Sequence, residues 1–574
     1  MLVRLADPRK RLRVAMVVVC VLVSMFAGRL VQLQGVDASG YEQLATITDL
    51  NNVDLPAERG AIVDRNGDVL VQSVDAYHVI VDQQKVAEDG NAAAYALQLE
   101  GILDRDAADI QRTLTGDKRY QYLAKKVSPS TWAQIRDLEL TGIYEEPVSE
   151  RLYPSGPVAG NVIGFVGADG VGLGGLELSM QEQLAGVDGV MSYQSTPSAN
   201  IRIPLGAGSR DDPVAGEGLQ LTIDRDLQWY AEQAIAAAVD NARAAGGNVV
   251  IQDTRTGEIL AMATAPVVDP ANPGAIDAAD RGNRVVEEVY EPGSVFKPIT
   301  MAVVVEEGMA GPATVLTVPD KLTRNGETIR DYYNHPADQM TLSGIVAKSS
   351  NVGAALAAEL VDAETYGEYL RRFGFGATLD LGLPAEAGGS LPDWTGFGRD
   401  YAAFGQGISV NTVQMASAYA TIANDGVRMP PKLVSATVDS NGGETPVPGG
   451  VPERVISADA AAAVTTMMEA VMGPDGTGNR SKIDGYRVAG KTGTAQRIDP
   501  ECGCYRDFNA SFFGFAPADE PRFSVAVSLL DPKNGNSGGT LAGPVFADVM
   551  EFTLHKMGVA PSASDPPEPA LFAD

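Results

Sequence analysis

Ser294-Val295-Phe296-Lys297, preceded by Tyr290-Glu291-Pro292-Gly293, is the stretch on which the reading of this chain turns. A hydroxyl and an amine three residues apart share one face of a helix, a turn apart. Serine is a weak nucleophile at its ordinary pKa and needs a base within hydrogen-bond reach. Lys297 can be that base only if its amine is neutral, which burial and a second nearby cation favour. Pro292-Gly293 places Ser294 at the start of a helix predicted to end near Gly308. The dipole and free N–H groups of a helix start suit an oxyanion there. A plain N-cap serine has the same signature, and Ser-Xaa-Xaa-Lys is common by chance.

Two further stretches narrow the choice. Ser349-Ser350-Asn351 sets a hydroxyl and an amide two residues apart, able to pass a proton and hold a substrate amide, although such a triplet also caps helices. Lys491-Thr492-Gly493-Thr494 ends an apolar strand, where a glycine lets a substrate lie against the edge while Lys491, Thr492 and Thr494 face a carboxylate. Gly485 to Thr492 also fits the phosphate-loop string, but that loop must feed a helix. Pro500 and Gly503 leave no room for one. Three histidines and three cysteines offer little for a metal or a Ser-His-Asp triad, so no metal and no cofactor are expected. A Ser-Xaa-Xaa-Lys, Ser-Xaa-Asn and Lys-Thr-Gly set is far more specific than any of its parts.

Outward from these motifs, Val14 to Gly28 carries no charge, and Leu30, Val31 and Leu33 continue the run past Arg29 to about bilayer length. Arg4, Arg9, Lys10, Arg11 and Arg13 precede it against the single acid Asp7, so the tail is expected to be cytoplasmic and the rest external. A cleaved signal peptide is the competing reading, but Met25 and Phe26 spoil a small-residue cleavage site. The net charge of −30 argues against nucleic acid as a partner. Asn66-Gly67 between apolar runs predicts a hairpin, and the glycines from Gly167 to Gly175 predict a loop. The expected organisation is a tail (1–13), a transmembrane anchor (14–34), an elongated mixed pedestal (35–215), a larger domain (216–558) and a disordered Pro-, Ser- and Asp-rich end (559–574), with a boundary in the polar stretch Ser195 to Gly218. The larger domain reads as α+β: antiparallel strands with helices on both faces and a helical insert.

Taken together, these motifs resemble those of a class B penicillin-binding protein, a monofunctional peptidoglycan D,D-transpeptidase, most like the septal cell-division type. The resemblance extends to Arg29 to Gln34, Arg59-Gly60 with Asp64 to Gly67, Arg151 to Pro154, Phe404 to Gly407, and Ala510 to Phe515. Asn411-Thr412-Val413-Gln414 departs from the usual Thr-Pro-Xaa-Gln. The resemblance implies a penicillin-binding transpeptidase fold on a pedestal, and covalent inhibition by β-lactam antibiotics. It assigns Ser294 as nucleophile, Lys297 as base, Ser349 as proton relay supported by Asn351, and Lys491, Thr492, Gly493 and Thr494 as the substrate-binding strand. Backbone N–H groups of Ser294 and Thr494 would form the oxyanion hole. Implied partners are stem peptides of lipid-linked nascent glycan, the membrane, a glycosyltransferase and division proteins. Competing roles are an elongation-type transpeptidase, a D,D-carboxypeptidase or β-lactamase-like hydrolase, and a non-catalytic division scaffold. Cys502 and Cys504 read as an oxidised loop clip or two plain thiols.

Overall fold

The computed structural model describes residues 8–32, 50–194, 208–324, 327–394, 397–499, 502 and 504–573. The expected boundary stretch falls largely on 195–207, and the ends of the expected tail and anchor on 1–7 and 33–34, all outside the described residues. In space the chain forms two units, Met1–Glu58 with Gly186–Ala215, and Arg59–Ala185 with Gly216–Asp574. Residues 59–185, expected to belong with the rest of the pedestal, group instead with 216–574, and strand Gly218–Leu221 pairs with both Ile62–Val63 and Val434–Val438. One sheet thus knits the second half of the chain to the first.

In the smaller unit, helix Pro8–Val31 is long and apolar enough to cross a membrane. Its Leu, Val, Met and Phe side chains are exposed, as lipid contact requires. Strands Leu50–Leu55, Gly189–Gln194 and Gly208–Asp211 form a separate antiparallel sheet.

In the larger unit, the predicted hairpin is present: Ile62–Val63 and Val69–Val81 pair across Gly67 at φ 85°. Beyond it, residues 79–135 carry their own small core of Val79, Leu99, Ile110, Leu114, Leu123 and Trp132. The glycine-rich loop packs around a buried ion cluster rather than lying loose. A Cβ on Gly172 would sit 1.9 Å from the carbonyl oxygen of Glu177. The Glu177 carboxylate receives Arg59 Nε at 2.5 Å and Arg151 Nε at 2.8 Å. Arg151 also donates to the carbonyls of Arg59 and Gly60. Burial lowers the Arg151 pKa while Glu177 opposes the shift.

The elements around the motifs are α1 (Arg225–Ala242), β1 (Gly246–Asp253), β2 (Ile259–Ala265), α2 (Lys297–Glu306), α3 (Leu342–Lys348), α4 (Asn351–Ala358), α5 (Thr412–Ala423), α6 (Ala458–Ala470), β3 (Ala489–Asp499), β4 (Cys504–Ala516), β5 (Phe523–Leu530) and α7 (Gly538–Lys556). The strands form one antiparallel sheet in the order β2-β1-β5-β4-β3. Helices α1 and α7 touch each other and cover one face, and α5 packs on the other. With both faces covered, every residue of β1, β2 and β5 is buried, the polar Asn248, Gln252, Ser524 and Ser528 among them. Asp224 starts α1 by accepting from the N–H groups of Asp226 and Leu227, the cap its sequence promises. Asn411 and Gln414 form a capping box on α5, so the departure from Thr-Pro-Xaa-Gln is an alternative helix start. Strand β3 continues for seven residues past Thr492 with no helix after it, as the rejection of the phosphate loop requires. Its hairpin with β4 has Cys502 and Cys504 joined in a disulfide.

The end of the chain, expected to be disordered, is a correction. Residues 559–573 lie on the domain surface and bond to it, as when Ser562 N–H donates to the Gly485 carbonyl and Thr341 N–H to the Leu571 carbonyl. The Pro-, Ser- and Asp-rich composition on which that expectation rested says nothing about main-chain bonds to a preformed surface.

Candidate active site

Three elements converge on the Lys297 amine. A short 3-10 turn, Gly293–Phe296, carries Ser294 into α2, whose first residue is Lys297. The i,i+3 spacing brings Lys297 Nζ to 2.9 Å from Ser294 Oγ. Helix α3 ends at Ser349, which adopts the left-handed conformation at φ 62°. That conformation costs a non-glycine residue roughly 1–3 kcal/mol, and such strain is concentrated at functional sites. It reverses the chain so that Ser350 can cap α4 and Asn351 faces back. Lys297 Nζ consequently lies 2.6 Å from the Ser349 carbonyl, 3.1 Å from its Oγ and 2.8 Å from Asn351 Oδ1. The Ser349-Ser350-Asn351 triplet therefore caps a helix and presents site groups at once.

On the far side of Ser349, Lys491 Nζ of β3 lies 3.0 Å from Ser349 Oγ and 2.9 Å from the Thr492 carbonyl. Both lysines are fully buried, whereas Ser294, Ser349 and Asn351 are half-buried and Thr494 is exposed. Burial drives the Lys297 pKa down to about 7, with Asp331 pulling the other way. Burial, then the charge of Lys297, drives Lys491 well below its ordinary value. A neutral Lys297 amine has two N–H donors and one lone pair. The Ser349 carbonyl and Asn351 Oδ1 can take the donors, which leaves the lone pair for the Ser294 proton.

The four residues of the Lys491 strand divide the work. The Thr492 hydroxyl is buried, 2.7 Å from Thr477 Oγ1 and 3.3 Å from Lys491 Nζ, so it holds the lysine. Thr494 is the exposed hydroxyl, and its Oγ1 also accepts from Gly538 N–H. Gly493, expected to make room for a substrate, has close protein neighbours. A Cβ there would meet Ser511 Oγ at 2.2 Å and Val295 Cγ1 at 2.9 Å. The missing side chain makes room for the protein itself, letting the Ser294 turn press against β3. Gly293 completes that approach at φ 62°, where a Cβ would lie 2.8 Å from Ala495 Cβ.

Sequence reasoning missed several supporting residues. Asp331 accepts from the N–H groups of Asn351 and Val352 at 2.6 and 3.0 Å and from Ser350 Oγ at 2.6 Å. His335 Nε2 stands 3.0 Å from the same carboxylate. Nothing in the local sequence Arg330 to Pro336 marks that role. Gly405 has a signal, the Phe404-Gly405-Gln406-Gly407 run: its carbonyl accepts from Gly293 N–H at 2.9 Å. A Cβ on Gly405 would strike the Gly293 oxygen at 2.2 Å. Tyr419 of α5 donates to the Val295 carbonyl at 2.6 Å, fixing the turn from below.

A serine–lysine pair at the start of a helix, faced by a second serine and by a Lys-Thr-Gly strand edge, is an arrangement suited to acyl-serine chemistry. Comparison with known proteins places it in a family. Residues 247–551 match the penicillin binding protein transpeptidase domain, and residues 54–221 the penicillin-binding protein dimerisation domain. The chain belongs to the penicillin-binding protein transpeptidase family. It is 35% identical to penicillin-binding protein PbpB of Mycolicibacterium smegmatis over 97% of this chain and 91% of that protein. It is 32% identical to peptidoglycan D,D-transpeptidase FtsI of Escherichia coli, over 96% of this chain and 93% of that one. Among solved structures, penicillin binding protein 3 of Mycobacterium tuberculosis complexed with ampicillin superposes with a TM-score of 0.72 at 32% identity, covering 91% of this chain and all of the other.

Proposed function

We propose that this protein is a membrane-anchored peptidoglycan D,D-transpeptidase of septal wall synthesis, with Ser294 as its acylated nucleophile. The observation that carries the reading is the fully buried Lys297 amine, 2.9 Å from Ser294 Oγ and with a pKa near 7. Names and titles of relatives, a D,D-transpeptidase and an ampicillin complex among them, support the substrate and inhibitor class.

In this mechanism Ser294 Oγ attacks the carbonyl of the penultimate D-Ala of a donor stem peptide while Lys297 takes its proton. Backbone N–H groups of Ser294 and Thr494 stabilise the oxyanion. The amide bond to the terminal D-Ala breaks, and Ser349, between Lys297 and Lys491, relays a proton to the leaving amine. Asn351 holds Lys297 and the peptide amide. Lys491 and Thr494 bind the terminal carboxylate, whose charge restores that of Lys491, and Thr492 orients Lys491. The amine of a second stem peptide then attacks the acyl-serine and forms the cross-link. A β-lactam, which resembles the D-Ala-D-Ala end, stops at the acyl-serine.

Helix Pro8–Val31 and the basic residues before Val14 support a single-pass anchor with its N-terminus in the cytoplasm and the site outside. The nascent lipid-linked glycan reaches such a site from a neighbouring glycosyltransferase and division proteins.

The test is labelling of the purified protein with a fluorescent penicillin, beside Ser294→Ala. A covalent band in the wild type alone is the expected result; a band in both, or in neither, refutes the assignment. Donor and acceptor stem peptides then separate transpeptidation, which yields a cross-linked dimer, from hydrolysis, which yields free D-Ala only.

A further inference from the structure

The end of the chain touches both motif-bearing walls of the site from outside. Its first anchorage lies just before β3. Tyr486 Oη donates to the Val559 carbonyl at 2.7 Å and Ser562 N–H to the Gly485 carbonyl at 2.9 Å. Arg487 N–H donates to Ser562 Oγ and Arg487 Nη1 to Ser564 Oγ, each at 2.9 Å. Ser562 Oγ in turn donates to Asp519 at 2.6 Å. Arg487 is locked by a two-pronged pair with the buried Glu469 of α6, 2.8 Å on each prong. Lys491 follows four residues later on the same run of chain.

The second anchorage is the start of α3. Thr341 caps this helix by accepting from Gly344 N–H at 2.9 Å, and the same hydroxyl donates to the Ala570 carbonyl at 2.7 Å. Thr341 N–H donates to the Leu571 carbonyl at 3.1 Å and Ala573 N–H to the Gln339 carbonyl at 2.9 Å. Lys348, one residue before Ser349, holds its Nζ 5.9 Å from the centre of the Phe572 ring. Between the two anchorages runs Asp565-Pro566-Pro567-Glu568-Pro569. Prolines lack an N–H to satisfy and favour a stiff extended form of about 3.1 Å per residue. A stiff link fixed at both ends sets a distance, which a flexible one does not.

We propose that residues 561–573 are a strap that sets the spacing between helix α3, which presents Ser349, and strand β3, which presents Lys491, and so positions the acylation machinery from outside the cleft. This rests on the site reading above. A misplacement of about 1 Å far from the chemistry can cost up to about a hundredfold in rate. The Ser349–Lys491 contact, 3.0 Å between Oγ and Nζ, spans the two anchored elements.

Gly344 gives a point test. A Cβ there would sit 1.9 Å from the Leu571 oxygen. Gly344→Ala strengthens the helix by its propensity, about 1 kcal/mol, while it pushes the strap away. The experiment compares four membrane-helix-bearing proteins in detergent: wild type, a chain ending at Ala560, Gly344→Ala, and the two changes combined. Each is read by the rate constant of fluorescent-penicillin acylation, the number of sites labelled at saturation, and amide hydrogen exchange over 342–350. The expected result is undiminished site number in the shortened chain, a rate constant lower by about tenfold, and faster exchange in 342–350. Gly344→Ala slows the complete chain and has no further effect on the shortened one. A wild-type rate and exchange pattern in the shortened chain overturns the strap. So does a loss of labelled sites at an unchanged rate constant, which is a folding effect. If the wild type takes no label, the site reading has failed, and exchange over 342–350 still decides whether the strap holds α3.

Discussion

Two buried clusters in the larger unit each gather two cations, and they treat them in opposite ways. Around Glu177, Arg59 and Arg151 meet a carboxylate and several carbonyls. Around Ser349, Lys297 and Lys491 meet hydroxyls, carbonyls and an amide, and among the described residues no carboxylate is bonded to either amine. Guanidinium cannot shed its proton under ordinary conditions, so the first cluster must keep its charge and pair it. An amine can, so the second cluster answers burial by losing charge. The first arrangement joins three segments distant in sequence; the second makes a base. Residue type and the choice between a bonded carboxylate and neutral partners together separate the two clusters.

The largest expected effect lies in the second cluster. Lys297→Met should lower the acylation rate constant by about 10³-fold, within the usual range for losing a positioned base. Its unfolding free energy in urea should stay equal or rise, because a buried amine is replaced by an apolar chain of similar length. A loss of several kcal/mol would erase the contrast between the clusters. Glu177→Gln is the mirror experiment. Leaving two guanidiniums without their carboxylate should destabilise the protein by about 3–5 kcal/mol, while the folded fraction acylates at the wild-type rate.

The contrast also sets a pH dependence. Lys297 is neutral above a pKa of about 7, so acylation should rise with pH through 7 and fall about tenfold per unit well below it. In the unfolded chain the same amine titrates near its ordinary 10.5, so the unfolded state holds the extra proton between about 7 and 10.5. This group's contribution to stability therefore also rises with pH across that window. A rate profile flat from pH 5 to 9 would remove Lys297 as the base. The smallest effect is second-hand: Asp331→Asn weakens the bonds to Asn351 and Val352 N–H, each worth about 1.5–3 kcal/mol when one partner is charged. Acylation should slow by about tenfold, with the pH midpoint of Lys297 moving down as Asp331's charge is lost.

Much of the site was legible because its signals are local. Ser294 and Lys297 meet by helical spacing alone, and the Asn66-Gly67 turn and the Asp224 cap require only their neighbours. Asp331 and Thr477 left no local trace, since each acts on chain far from it in sequence. For Gly493 the sequence shows no sign of Ser511 and Val295, since it cannot tell which side of a strand packs against them.

The amino-acid order by itself determined the membrane-length helix, the capped helices, the apolar-rich strands and the serine–lysine pair, because hydrophobicity and spacing along one element suffice for these. Only the tertiary structure decided that burial pushes the Lys297 pKa down to about 7, that Ser349 stands between two lysines 52 residues before it and 142 after it, and that the proline-rich end bonds to Gly485 at one point and Thr341 at another. Desolvation and contact across the cleft are properties of the assembled fold, and no stretch of chain carries them alone.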